Sequence, residues 1–117
     1  MRPITFLFIC YLLVRAVKGA PPLDTCRREF IRWEGYRTTP YRDGKAIVVG
    51  IGHNLSAHKE RIKPRYSPLE IERLFCADLS RAVDACRAGI HRFDDLPEEV
   101  QLVALGIAFS CGNAGFM

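Results

Sequence analysis

The sequence lacks several things, and each lack removes a class of protein. No two of its cysteines have the C-x-x-C spacing of a thiolate zinc site, so no metal is expected, and nothing suggests a cofactor. Its N-terminal apolar run, Ile4–Val14, has eleven residues, well short of the roughly 20 that a membrane-spanning helix needs. There is no internal repeat and no low-complexity tract, which argues against a repeat array. A surplus of positive charge is also missing. The net charge is +4, but Arg2, Arg15 and Lys18 lie in the first 18 residues, and without them 14 basic residues face 13 acidic ones. Nucleic acid, which calls for a concentrated basic face, is therefore not expected as a partner.

What is present fits one small exported domain. The chain has 117 residues, 49% of them apolar, enough for a packed core. Residues 1–19 read as an export signal: Arg2 supplies the positive start, Ile4–Val14 the apolar run, and Val17-Lys18-Gly19 or Val14-Arg15-Ala16 a cleavage site. Pro21-Pro22 then cuts this segment off from the rest. The expected location is secreted or periplasmic, with a membrane as partner only if the segment stays uncleaved as a signal-anchor. Cys10 falls in the signal. The other four cysteines, Cys26, Cys76, Cys86 and Cys111, suggest two disulfides in an exported chain, with four reduced thiols as the alternative.

The rest of the chain divides into helical and strand-like stretches. Thr25 is expected to cap a short helix that ends near Trp33 or Glu34, with Gly35 as its stop. Asp43-Gly44 followed by the β-branched Ile47-Val48-Val49 signals a hairpin, and the alternate glycines Gly50 and Gly52 signal a bend or a close backbone approach. Residues 56–66 read as loop. Ser67-Pro68-Leu69-Glu70 has the form of a capping box with proline at the first helical position, and Gly89 closes the long helix that follows. If residues 68–88 form one helix, Cys76 and Cys86 lie about 15 Å apart along it. A Cys76–Cys86 bridge is then excluded, which leaves two connectivities. A second helix starts after Asp95-Leu96-Pro97-Glu98; its stretch Val100–Phe109 is apolar almost all round and calls for neighbours on every side.

Glu34 at a helix end and Asp43 in a turn nine residues later can face each other across a cleft. Glycoside hydrolysis uses such a pair: one carboxyl protonates the leaving oxygen and the other assists water or stabilises charge. Most isolated pairs of this kind are only a solvated glutamate and a turn aspartate. The surrounding string is more specific. Glu34-Gly35, Tyr41-Arg42-Asp43-Gly44, Gly50-Ile51-Gly52-His53, Leu74-Phe75, Asp78, Ala108-Phe109 and Gly115-Phe116 together resemble phage-type lysozymes, glycoside hydrolase family 24, over about residues 26–116.

The resemblance implies an α+β, lysozyme-like fold: a small β-hairpin lobe joined by a long helix to a helical lobe. It also implies an activity, muramidase cleavage of the MurNAc–GlcNAc β-1,4 bond of peptidoglycan by a monomer. Glu34 would be the general acid, Asp43 the second carboxylate in an inverting reaction, and Tyr41 and Phe109 cleft residues that meet substrate. His53 and Asp78 would form a structural ion pair, and Cys26–Cys76 with Cys86–Cys111 would be the disulfide pairing. Two departures stand out. The family commonly has threonine where this chain has Val48, and that hydroxyl helps hold the attacking water; losing one such group typically costs a hundredfold or more in rate. The family also continues past Gly-Phe with further helices, so residues 20–117 are expected to form a lysozyme-like domain whose C-terminal part is missing. A non-catalytic wall-binding protein is the alternative function. His58 and His91 are expected to be solvated, Trp33 to belong to the core, and Arg27, Arg28 and Arg32 to form a solvated face.

Overall fold

The computed structural model describes residues 19–114, so the expected export signal falls almost wholly outside the described residues, as do Gly115 and Phe116. Three helices and a three-stranded antiparallel sheet make up the described chain, an α+β arrangement. Helix α1 (Leu23–Glu34) begins directly after the proline pair. Pro22, not Thr25, is its cap residue, and the Pro22 carbonyl accepts the first helical bond from Cys26 N–H at 3.1 Å. The fixed φ of proline sets the helix entry, and this overrides the side-chain cap that Thr25 offers. Gly35, at φ +83°, ends the helix as expected.

Strand β1 (Arg37–Asp43) turns back through Gly44-Lys45 into β2 (Ala46–Gly50), which pairs with the two-residue β3 (His53–Asn54). Gly44 is the first turn residue, at φ +61°, so Asp43 closes the strand and does not itself occupy the turn. Helix α2 (Pro68–Gly89) is one continuous helix of 22 residues. Its capping box is fully formed: Glu70 N–H donates to Ser67 Oγ at 3.1 Å, and Ser67 N–H donates to Glu70 Oε1 at 3.0 Å. A short 3-10 turn (Phe93–Asp95) leads to helix α3 (Glu98–Asn113). Among the described residues no helix is long and apolar enough to cross a membrane.

The core is tied together by three phenylalanines, one from each helix. Phe30 meets Phe109 edge-on with ring centres 4.7 Å apart and Phe75 at 5.8 Å, and Phe75 and Phe109 are 5.9 Å apart. Full burial of each ring stabilises the fold by roughly 1.5–3 kcal/mol, and the edge-to-face geometry adds to this. At the surface, Arg27 Nε donates to Glu72 Oε2 at 3.0 Å and so links α1 to α2. Arg32 pairs with Glu29 at 3.2 Å, and Arg28 approaches the same carboxylate. The arginine face is therefore largely paired.

Three further expectations about the core and the cysteines need correction. The four cysteines at 26, 76, 86 and 111 are free thiols, and neither expected disulfide is formed. Cys26 Sγ instead contacts the Pro21 carbonyl at 3.7 Å, and Cys76 Sγ contacts Glu72 Oε1 at 3.6 Å, so each thiol already has a local polar partner. Trp33 is 49% exposed. Its ring lies over Gly106 and beside Phe30, which covers one side of it only. Helix α3 also lacks the all-round cover its sequence calls for. Val100, Val103 and Ile107 stay exposed among the described residues, and with Trp33 and Gly106 the latter two border an apolar groove of about 460 Å³.

Candidate active site

Hairpin register decides which side chains meet. Asp43 pairs with Ala46 and Tyr41 with Val48, while Val48 pairs across β3 with Asn54. Directly opposed and alternate residues share a face of a sheet. Tyr41, Asp43, Ala46, Val48 and Asn54 therefore point the same way, and all five line one cavity of about 190 Å³. Its other wall comes from the end of α1, through Glu34, and from the end of α3, through Phe109, Ser110 and Asn113.

The glycine pair between β2 and β3 lets these walls close. Gly50 and Gly52 have φ of +66° and +65°. A Cβ on Gly50 would lie 3.0 Å from Ile71 of α2, and one on Gly52 would lie 2.8 Å from Glu34 Oε2. The close approach expected from the alternate glycines is thus made twice, once to the long helix and once to the Glu34 side chain. Across the cavity, Asn113 bridges the sheet and α3: its Oδ1 accepts from Asn54 N–H at 3.0 Å, and its Nδ2 donates to the Phe109 carbonyl at 3.2 Å.

The electrostatics of Glu34 are shaped by its burial. Burial pushes the Glu34 pKa above the usual glutamate range; the Ser110 hydroxyl, which lines the same cavity, opposes this, and the nearby Asp43 charge adds to it. A carboxyl whose neutral form is favoured by burial suits the acid role in glycoside cleavage. Tyr41 sits at the cavity edge with the Arg37 guanidinium 4.7 Å above its ring. Phe109 is 2% exposed and serves the core triad, so little of it is open to the cavity it lines. Val48 presents two methyl groups to the cavity where a hydroxyl would hold water.

His53 and Asp78 lie apart from this cavity and meet each other. His53 Nδ1 is 2.7 Å from Asp78 Oδ2, and His53 Nε2 is 2.6 Å from Glu60 Oε2. Burial by itself would lower the His53 pKa; the hydrogen bond and charge of Asp78, joined by Glu60, outweigh it and raise the value. Arg81 also contacts Asp78. His58 is not solvated as expected: it is half-buried and stacks on His53 with ring centres 4.9 Å apart.

Sequence reasoning passed over Ser110, Asn113 and Glu60. The first two had a signal, since each is a polar side chain interrupting an otherwise apolar helix. Glu60 had none, because a glutamate in a polar loop is unremarkable until the loop's path is known. No protein-family model matches the chain, and no curated protein matches it at significant similarity.

Proposed function

We propose that the protein is a peptidoglycan hydrolase of the muramidase type, with Glu34 as general acid and Asp43 as the carboxylate that assists water on the opposite face of the sugar. The observation that carries this reading is the Glu34 carboxyl, partly buried and raised in pKa, in one cavity with Asp43. The lysozyme-like form of the α+β fold belongs to the same reading. It is supported by the hairpin lobe, the single long helix behind it, and a cavity between the hairpin and the ends of α1 and α3. The partner is the cell-wall glycan, met by a monomer exported through residues 1–19. Tyr41 and Asn54 offer polar groups along the hairpin wall for sugar hydroxyls.

Hydrolysis would proceed by proton transfer from Glu34 to the glycosidic oxygen as that bond breaks, while water attacks the anomeric carbon and gives its proton to Asp43. One observation favours a second reading, a non-catalytic wall-binding protein: Val48 is buried against the cavity and gives attacking water no hydroxyl. Turbidity loss of a peptidoglycan suspension separates the two. The muramidase reading requires clearing by the parent and none by Glu34→Gln. A parent that sediments with the wall but never clears it supports the second reading, and clearing by Glu34→Gln at the parent's rate removes the acid assignment.

A further inference from the structure

The histidine cluster on the side of α2 has more polar capacity than an ion pair uses. We propose that His53, His58 and Asp78, backed by Glu60, form a binding site for a divalent transition metal of the zinc class. Zn–N and Zn–O bonds of about 2.0–2.2 Å put the donor atoms of one ion roughly 3–4 Å apart. His58 Nε2 lies 3.9 Å from Asp78 Oδ1, and the three donor atoms all lie within 4.8 Å of one another. His53 and Asp78 are 3% and 2% exposed, so two of the three donors are fixed by the surrounding packing. The cysteine spacing that argues against a thiolate zinc site does not bear on this set, which is built from two imidazoles and a carboxylate.

The surroundings of His53 support this assignment. A metal-bound imidazole usually donates its other ring N–H to a carboxylate, which fixes the tautomer and strengthens the ligand. Glu60 Oε2, 2.6 Å from His53 Nε2, is that carboxylate, and it leaves Nδ1 to face Asp78. The ion would take the place of the proton between Nδ1 and Asp78, and that proton leaves to solvent. Charge favours the exchange as well. With the His53 proton lost and the Arg81 guanidinium swung away from Asp78, the Asp78 and Glu60 carboxylates balance the two charges of the ion.

Arg81 is the competitor for the site. It contacts Asp78, comes within 3.5 Å of His58 Nε2, and is rooted one turn away on α2. Its side chain is nearly half exposed, so it can swing into water and leave the carboxylate to an ion. His58 sits in the loop between β3 and α2, so its ring can tilt toward the ion without moving either element. A bound ion would tie that loop to β3 and α2 at once. The site is therefore structural, and it is independent of the Glu34 cavity.

The test uses the full chain after chelator treatment, titrated with Zn²⁺ by calorimetry, with Co²⁺ absorption spectra read in parallel. The parent is expected to bind a single ion and to melt at a higher temperature with zinc. His58→Ala should weaken binding by about tenfold or more and remove the thermal gain. Arg81→Gln, which removes the competing cation at the surface, should tighten binding. The proposal is overturned if the parent shows no saturable binding, or if His58→Ala and Arg81→Gln both bind as the parent does. It is equally overturned if the Co²⁺ spectrum carries the charge-transfer band of a thiolate, which would assign the ion to the free cysteines.

Discussion

Replacing Gly52 with alanine should disturb Glu34 more directly than any change at a carboxylate's own position short of removing it. Two costs add. Gly52 has φ +65°, a left-handed conformation that costs an L-residue roughly 1–2 kcal/mol. The new Cβ would also lie 2.8 Å from Glu34 Oε2 and 3.0 Å from both Cβ and Cγ of Glu34. Moving Oε2 alone cannot relieve this, because the Glu34 Cβ is held by the last turn of α1. Overpacking of this kind typically costs about 1–3 kcal/mol, for a total of about 2–5 kcal/mol. Gly44→Ala is the internal control: it has nearly the same φ, +61°, but an added Cβ there meets nothing within 4 Å, so it carries only the backbone cost. Urea unfolding followed by the fluorescence of Trp33, the sole tryptophan, reads both variants on one scale. Gly52→Ala should unfold at clearly lower urea than Gly44→Ala with the same slope. Wall clearing should fall by about a hundredfold as the carboxyl is displaced. Equal midpoints for the two variants would refute the contact between Gly52 and Glu34 on which the reasoning rests.

The remaining predictions follow from single observations. Glu34 has a raised folded pKa, so the stability it contributes is present below its unfolded value and lost as pH rises through the folded one. Glu34→Gln should therefore gain thermal stability relative to the parent on going from pH 4 to pH 8; a pH-independent difference would count against the burial of the carboxyl. Val48→Thr should raise the clearing rate, by up to about a hundredfold if water positioning limits it, and an unchanged rate in a folded variant would show that it does not. Asp78→Asn, measured in chelator, should cost about 3–5 kcal/mol in urea unfolding, because it leaves His53 buried beside half a partner set; a loss under 1 kcal/mol would mean that Glu60 alone suffices. Thiol labelling of the native protein should modify Cys76 and Cys111 well before Cys26, which is fully buried and has a pKa pushed up to about 11; a disulfide-linked peptide in a non-reducing digest would refute the free-thiol state.

Some of this was readable from residues close together in the chain. The Ser67–Glu70 capping box, the stop at Gly35, the single helix from Pro68 to Gly89 and the hairpin around Gly44 are all as the sequence suggests. Each depends on partners within about one helical turn or one two-residue loop, where the backbone offers few alternatives. The glycines at 50 and 52 announced a close approach, but not what would be approached. Trp33 shows where local reasoning failed: its helical spacing with Phe30 is real, yet exposure depends on whether another element covers the far side of the ring, and among the described residues none does.

By itself the sequence determined the stop at Gly35, the hairpin around Gly44, the capped helix from Pro68 to Gly89, and a pair of carboxylates near enough in the chain to share a cleft. Only the tertiary structure decided which groups surround that pair: Gly52 against Glu34, Ser110 in the same cavity, and Asn113 reaching Asn54 across 59 positions. It also decided that His53 sits between two carboxylates, with His58 stacked on it. These contacts follow from how α3 and the loop before α2 pack onto the hairpin. Such packing is set by burial of the phenylalanine core, which is non-directional and leaves no short-range mark on the polar residues it brings together.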